Sequence, residues 1–206
     1  NGTSAMSADN LIPDTEYSVY VFALDAKTGK VAKAHVYPSF AKTKPVGTIV
    51  PQIELIGYYS GDEEAGSIFG QPEATAGKAI AVVKYNVDPA ATALYSAVME
   101  GNGMDAAEYD DAYINEMLKF YWSSITLSQP YSFFVTTWQK DQTVFAYAED
   151  ANGGKGALGR LLLSPTAEEK GNIEDLKALV AELNGNSKTA SAVTSVNAGE
   201  VVTGKP

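Results

Sequence analysis

The chain has 206 residues and a formal net charge of −10, which argues against a nucleic-acid backbone or an anionic membrane surface as partner, since both call for clustered Lys and Arg. With no cysteine and one histidine, it can form no disulfide, thiolate zinc site, cysteine nucleophile or multi-histidine metal site. Its apolar fraction of 45% suffices for a real core, and the Cys-free, acidic, Gly- and Tyr-rich balance fits a bacterial secreted or surface protein.

The first residues, "NGTSAMSADN", carry neither a basic region nor an apolar run, so no signal peptide is read there. The abrupt start without Met is expected of a mature or trimmed fragment. No apolar run approaches the roughly 18 residues of a membrane span. Next comes "LIPDTEYSVYVFALD", in which Tyr17, Val19, Val21 and Ala23 share one face of a strand and Ser18, Tyr20, Phe22 and Leu24 the other. "DAKTG" supplies turn residues and "KVAKAHVYPSFAKT" returns as a second strand. His35 lies in that second strand. Any Ser-His-Asp triad would have to use it, yet the chain has no G-x-S-x-G elbow, so His35 reads as a solvated strand residue.

The spacing Leu11-x-Pro13-x-Thr15-x-Tyr17 resembles the approach to strand F of a fibronectin type III domain. The resemblance implies that Tyr17 hydrogen-bonds back to the upstream backbone at the sandwich corner. It makes Leu11 and Pro13 part of the same structural motif, and Val19 and Val21 core residues. A sandwich of this kind takes about seven strands, and residues 1–45 supply two or three. The chain is therefore expected to start inside a module, whose other strands were removed, lie upstream or come from another chain.

Residues 46–51, flanked by Pro45 and ending in Pro51, read as an extended linker. A second module is expected over residues 52–185. It opens with "QIELIGYY", where Ile53, Leu55 and Gly57 alternate against Glu54, Ile56 and Tyr58. "SGDEEAGSIFGQPEATAG" reads as a loop. "KAIAVVKYNVD" follows as a strand with Ala81, Val83, Tyr85 and Val87 on one face, and "ALYSAVME" as the next. The period then changes: Tyr109, Tyr113, Met117, Phe120 and Tyr121 predict an amphipathic helix over 105–122, with Asp105 and Glu108 as a capping box. "YSFFVTTW" and "QTVFAYAED" return to strands. The second of these belongs to a repeat, since "VFAYAEDANGGK" (144–155) aligns without a gap on "VYVFALDAKTGK" (19–30). Gln142 stands where Tyr17 stands, no Trp occupies the second strand, and the helix is an insertion. All three depart from the type III pattern. A helix over 172–184 follows, with Asn172 as cap, an apolar stripe of Ile173, Leu176, Leu179, Val180 and Leu183, and Gly185 as terminator. Residues 186–206 are a linker or a weak hairpin turning at "NAGE". The expected fold is mainly β: tandem fibronectin type III or immunoglobulin-like sandwiches, the second with an inserted helix and a C-terminal helix.

Chemistry is sparse. Asp62, Glu63 and Glu64, or Glu108, Asp110 and Asp111, could offer oxygens to calcium; a solvated loop and a helix start are the favoured readings of them. The turn after Asp150 fails the EF-hand spacing, because Leu161 stands at the twelfth position. A carboxylate pair for glycoside hydrolysis has no sequence support beyond the abundance of acids. No catalytic residue, metal or cofactor is expected. Aromatic residues are the better candidates: Trp138, ending a strand beside the polar turn "QKDQ", then Trp122, Tyr58 and Tyr59, since exposed rings anchor interfaces and stack on sugars. The resemblance extends to surface and secreted proteins of Bacteroidota. It implies a non-catalytic extracellular or outer-surface module, anchored by an upstream lipid or secreted, serving as scaffold, adhesin or binder of a protein or glycan. The rival readings are an accessory spacer beside a glycoside hydrolase or peptidase, and a subunit completed by a donated strand.

Overall fold

The computed structural model describes residue 8, residues 11–186 and residues 202–203. Strand β1 (Glu16–Val21) pairs antiparallel with β2 (His35–Lys42), Val19 opposite Tyr37 and Val21 opposite His35. Tyr17 Oη accepts the Ile12 N–H at 2.7 Å. The two copies of the repeat close similar turns. Asp25 Oδ1 accepts the N–H groups of Lys27 and Thr28, and Asp150 Oδ1 those of Asn152 and Gly154. The second turn is one residue tighter, because Gly153 takes the positive φ one position earlier than Gly29 does. The hairpin is wet on its apolar side chains: Tyr20, Phe22, Leu24, Val31 and Phe40 are each more than half exposed.

The remaining strands form two facing sheets. One has the order β3 (Gln52–Ser60), β4 (Ala79–Asn86), β7 (Tyr131–Thr136). The other runs β10 (Val202–Thr203), β5 (Ala93–Glu100), β8 (Gln142–Glu149), β9 (Gly159–Leu163), with β6 (Ser123–Ile125) also on β5. All pairings are antiparallel except β10 with β5. Between the sheets lies one core: Tyr58, Ala81, Val83, Tyr85 and Phe134 from the smaller sheet meet Leu94, Val98, Val144, Ala146 and Leu163 from the larger. The molecule is thus mainly β and built on a β-sandwich.

Both outer faces are covered too. On the smaller sheet, Tyr59, Ile80, Val82 and Phe133 pack against Ala65 and Phe69 and against Leu176, Val180 and Leu183. The last three come from α4 (Ile173–Asn186), so the predicted C-terminal helix docks by its predicted stripe, with Asn172 Oδ1 accepting the Glu174 N–H at 3.0 Å. On the larger sheet, Ala97, Met99 and Phe145 meet Tyr109, Ile114, Leu118 and Leu158. Four layers result. They explain why "AIAVV" in β4 is apolar without alternation: it is buried on both sides.

Several boundaries differ from expectation. The stretch read as a loop before β4 holds α1 (Glu63–Ile68) and α2 (Pro72–Thr75); Ala65 and Phe69, one turn apart, are its buried face. The helix expected over 105–122 is α3 (Asp111–Met117) alone. Asp105 closes a separate turn by accepting the Ala107 N–H, and Asp110, extended at ψ 163, accepts the Tyr113 N–H and caps the helix proper. Phe120, expected on the buried stripe, is 85% exposed, while Ile114 and Leu118 are buried. The helix expected to stop at Gly185 continues through Asn186.

Residues 46–51 are extended but not free. Gly47 N–H donates to Lys155 O, Val46 bridges Lys155, and Ile49 is buried. This segment runs so close to the stretch leading into β9 that a Cβ at Gly156 would lie 1.9 Å from Ile49 O, and one at Gly159 2.0 Å from Pro51 O. The turn expected at "NAGE" lies outside the described residues. Among the described residues no helix is long and apolar enough to cross a membrane.

Candidate functional site

Tyr58 and Tyr59 do not present their rings to a ligand. They are 4% and 6% exposed, one in the inter-sheet core and the other beneath the helices. A bulge at Ile56 is the cause: the register with β4 shifts between Leu55 and Gly57, so Tyr58 joins Ile53 and Leu55 on the inner face instead of opposing them. Tyr58 Oη accepts the Ser164 N–H at 3.0 Å, and burial pushes its phenol pKa up. Trp138 is half-buried at the turn between β7 and β8 and packs against the inter-sheet core. It closes one end of the sandwich. Leu11 and Pro13 lie exposed ahead of the Tyr17 hydrogen bond.

Trp122 stands elsewhere, in company. Tyr95 on β5 lies directly opposite Tyr147 on β8, on the outer face of the larger sheet. Their rings stack with centroids 4.9 Å apart and planes 21° apart. The turn after α3 leads into β6, whose pairing with β5 at Leu94–Ser96 delivers Trp122 edge-on to Tyr147, centroids 4.8 Å apart. Phe120 and Tyr121 project beside it, 85% and 36% exposed. Tyr95 and Glu100, the latter opposite the first residue of β8, lie five positions apart along β5; at about 3.4 Å per residue that is roughly 17 Å. Trp122 and Trp138 therefore belong to different ends and different layers, and no single ligand-contact patch joins them.

Lys155 completes the group. The tight turn after β8 returns it to a bridge with Glu149. Its Nζ lies 3.5 Å from the Tyr147 ring centroid and 5.0 Å from that of Trp122, and donates to Oδ1 of Asn115 on α3. One turn earlier on α3, Asp111 pairs with Arg160 at 2.6 Å and accepts the Leu158 N–H at 2.9 Å; Arg160 also donates to Gly103 O at 2.8 Å. These bonds fix α3 on the sheet. Burial lowers the Lys155 pKa to about 8, against the opposing pull of Glu149 and Asp111. Burial, with help from Glu149 and Tyr95, pushes Tyr147 up to about 12.

In the acidic stretches, Asp62, Asp110 and Asp111 have partners within the chain. Hydrogen bonds from the Ser60 hydroxyl and the Gly77 N–H hold the Asp62 carboxyl below its usual range. Asp110 caps α3 and Asp111 holds Arg160. Among the described residues no three His, Cys, Asp or Glu side chains come together as metal ligands. His35 packs edge-on to Tyr37, centroids 4.5 Å apart.

Of the predicted site residues, the structure places only Trp122 in an aromatic cluster open to solvent. Its companions Tyr95, Tyr147, Asn115 and Lys155 were not singled out by sequence. Each tyrosine sits mid-strand, and only cross-strand register, which no local pattern carries, brings the rings together. Lys155 enters the sequence reading merely as the match of Lys30 in the repeat. No protein-family model matches the chain, and no curated protein matches it.

Proposed function

We propose that the chain is a non-catalytic module of an extracellular or bacterial outer-surface protein, acting as a scaffold, adhesion or glycan- or protein-binding unit through the rings around Trp122. The observation that carries this is the run Phe120–Tyr121–Trp122 beside Tyr95, with exposed or half-exposed rings on the outer face of the larger sheet. Aromatic faces stack on the apolar face of a sugar ring and anchor protein interfaces at small entropic cost. Asn115 and Lys155 add polar groups at the margin. The resemblance to tandem fibronectin type III modules of Bacteroidota surface and secreted proteins is supported at the hairpin, by the Tyr17 bond to Ile12. The second module departs from it by its helical layers.

A glycan array with the purified chain, followed by Phe120→Ala and Trp122→Ala, tests the proposal. Both substitutions are expected to weaken binding at least tenfold, and Trp138→Ala, which removes core packing instead, to leave affinity near wild type while lowering the melting temperature. Binding that survives the first two variants, or turnover of any polysaccharide or peptide, overturns it. A second reading, a subunit completed by a donated strand, is favoured by one observation: the exposed apolar side chains of the β1–β2 hairpin. Capture of an added strand would protect the β1 amides from exchange.

A further inference from the structure

We propose that Lys155 and Asn115 become joined side chain to side chain by an isopeptide bond that the chain forms on itself. Lys155 Nζ donates to Asn115 Oδ1, so the amine stands one bond away from the carbonyl carbon Cγ. Lys42, Lys119, Lys140 and Lys177 differ in kind. Their ammonium groups meet carboxylates of Asp14, Glu116, Glu100, Glu64 and Glu174. The Lys155 amine instead lies against the faces of Tyr147 and Trp122 and meets an amide. This half-buried setting partly shields the amine from water and favours its neutral, nucleophilic form. With its pKa lowered to about 8, about one amine in ten is uncharged at pH 7.

Both partners are held in place. Asn115 rides on α3, which Asp111 locks to Arg160 and to the Leu158 N–H. Lys155 is bridged to Glu149 and accepts the Gly47 N–H at 3.0 Å. Fixing amine and carbonyl together turns a slow bimolecular attack into a unimolecular one. In the step, the Nζ lone pair adds to Cγ. The carboxylate of Glu149, whose charge acts on the Lys155 amine and which also pairs with Lys44 at 3.7 Å, takes the proton shed by Nζ and returns it to Nδ2. The Cγ–Nδ2 bond then breaks, ammonia leaves, and the Nζ–Cγ amide remains. Atoms balance without an oxidant or cofactor. The product would tie α3 to the turn after β8, across 40 positions of chain, as a covalent staple in a protein without cysteine.

The test is the intact mass of the full chain, with peptide mapping. The expected result is a mass below that of the sequence by one ammonia, and a branched peptide linking residues 115 and 155. Asn115→Ala and Lys155→Arg should each restore the sequence mass, and Glu149→Gln should accumulate unlinked chain. Succinimides at Asn1-Gly2, Asn102-Gly103, Asn152-Gly153 or Asn184-Gly185 also lose ammonia but hydrolyse in mild base, which an isopeptide survives. An intact mass equal to that of the sequence, or an ammonia loss that mild base reverses, overturns the proposal. Linkage at the wild-type rate in Glu149→Gln overturns the proton route.

Discussion

At Tyr17, one hydroxyl holds the corner ahead of β1. The Ile12 N–H has the Tyr17 oxygen as its partner at 2.7 Å. Tyr17→Phe removes that acceptor and leaves the ring in place. Because the site is part-open and water can replace the phenol, the cost should be about 0.5–1 kcal/mol. Amide exchange reads it directly: the Ile12 proton is expected to exchange severalfold faster in the variant, and unchanged protection would show that the bond does not form in solution. The spacing around Tyr17 was legible because the contact is local. The fate of Tyr58 was not. One extra residue, Ile56, bulges from β3 and reverses which face every later side chain meets, and the apolar sequence "LIGYY" reads the same in either phase. Trp122 was visible as a candidate while Tyr95 and Tyr147 were not, since the register that pairs them joins residues 52 positions apart.

Among the elements, α4 shows most directly what burial contributes. Leu176 is fully buried against Ile80 and Phe133, while Leu179 is only partly buried at the edge of that cluster. Leu176→Ala is expected to cost about 2–4 kcal/mol through lost transfer energy and a cavity, and Leu179→Ala clearly less. Urea denaturation of both variants decides this; equal costs would mean that α4 does not sit on the sheet by this face. The stripe was legible because one period ran uninterrupted from Ile173 to Leu183. Around α3 two short polar caps succeed each other. Asp105 and Asp110 each satisfy nearby N–H groups, so the expected first turns, residues 105–110, become a turn, a break and a new start. Glycines and prolines hid α1 and α2, whose helical state rests on Ala65 and Phe69 meeting the sheet and not on propensity.

On the scale of the whole molecule, two covered sheets bury tyrosines that an open sandwich would leave wet, and this makes stability depend on alkaline pH. Tyr85 is 1% exposed. Its hydroxyl donates to Ser96 at 2.7 Å, and Ser96 passes a bond on to Phe145 O at 3.0 Å. Burial pushes its pKa from 10 up to about 12; Tyr147 rises likewise to about 12, and Tyr58 and Tyr59 shift in the same direction. As pH rises past 10, the unfolded chain releases phenol protons that the folded chain retains. The unfolded state then binds fewer protons, so the free energy of unfolding falls with pH. The stability these phenols contribute is complete below pH 10 and is lost progressively toward pH 12. One pKa unit corresponds to about 1.4 kcal/mol, so Tyr85 alone should account for about 1–3 kcal/mol across that window; the half-exposed Tyr147 adds less because solvent screens it. Tyr85→Phe should be less stable at pH 8, having lost its bond to Ser96, yet decline less steeply between pH 10 and pH 12. Urea midpoints measured across that range for both proteins test the argument, and parallel declines would mean that the Tyr85 phenol ionises as freely in the folded chain as in the unfolded one.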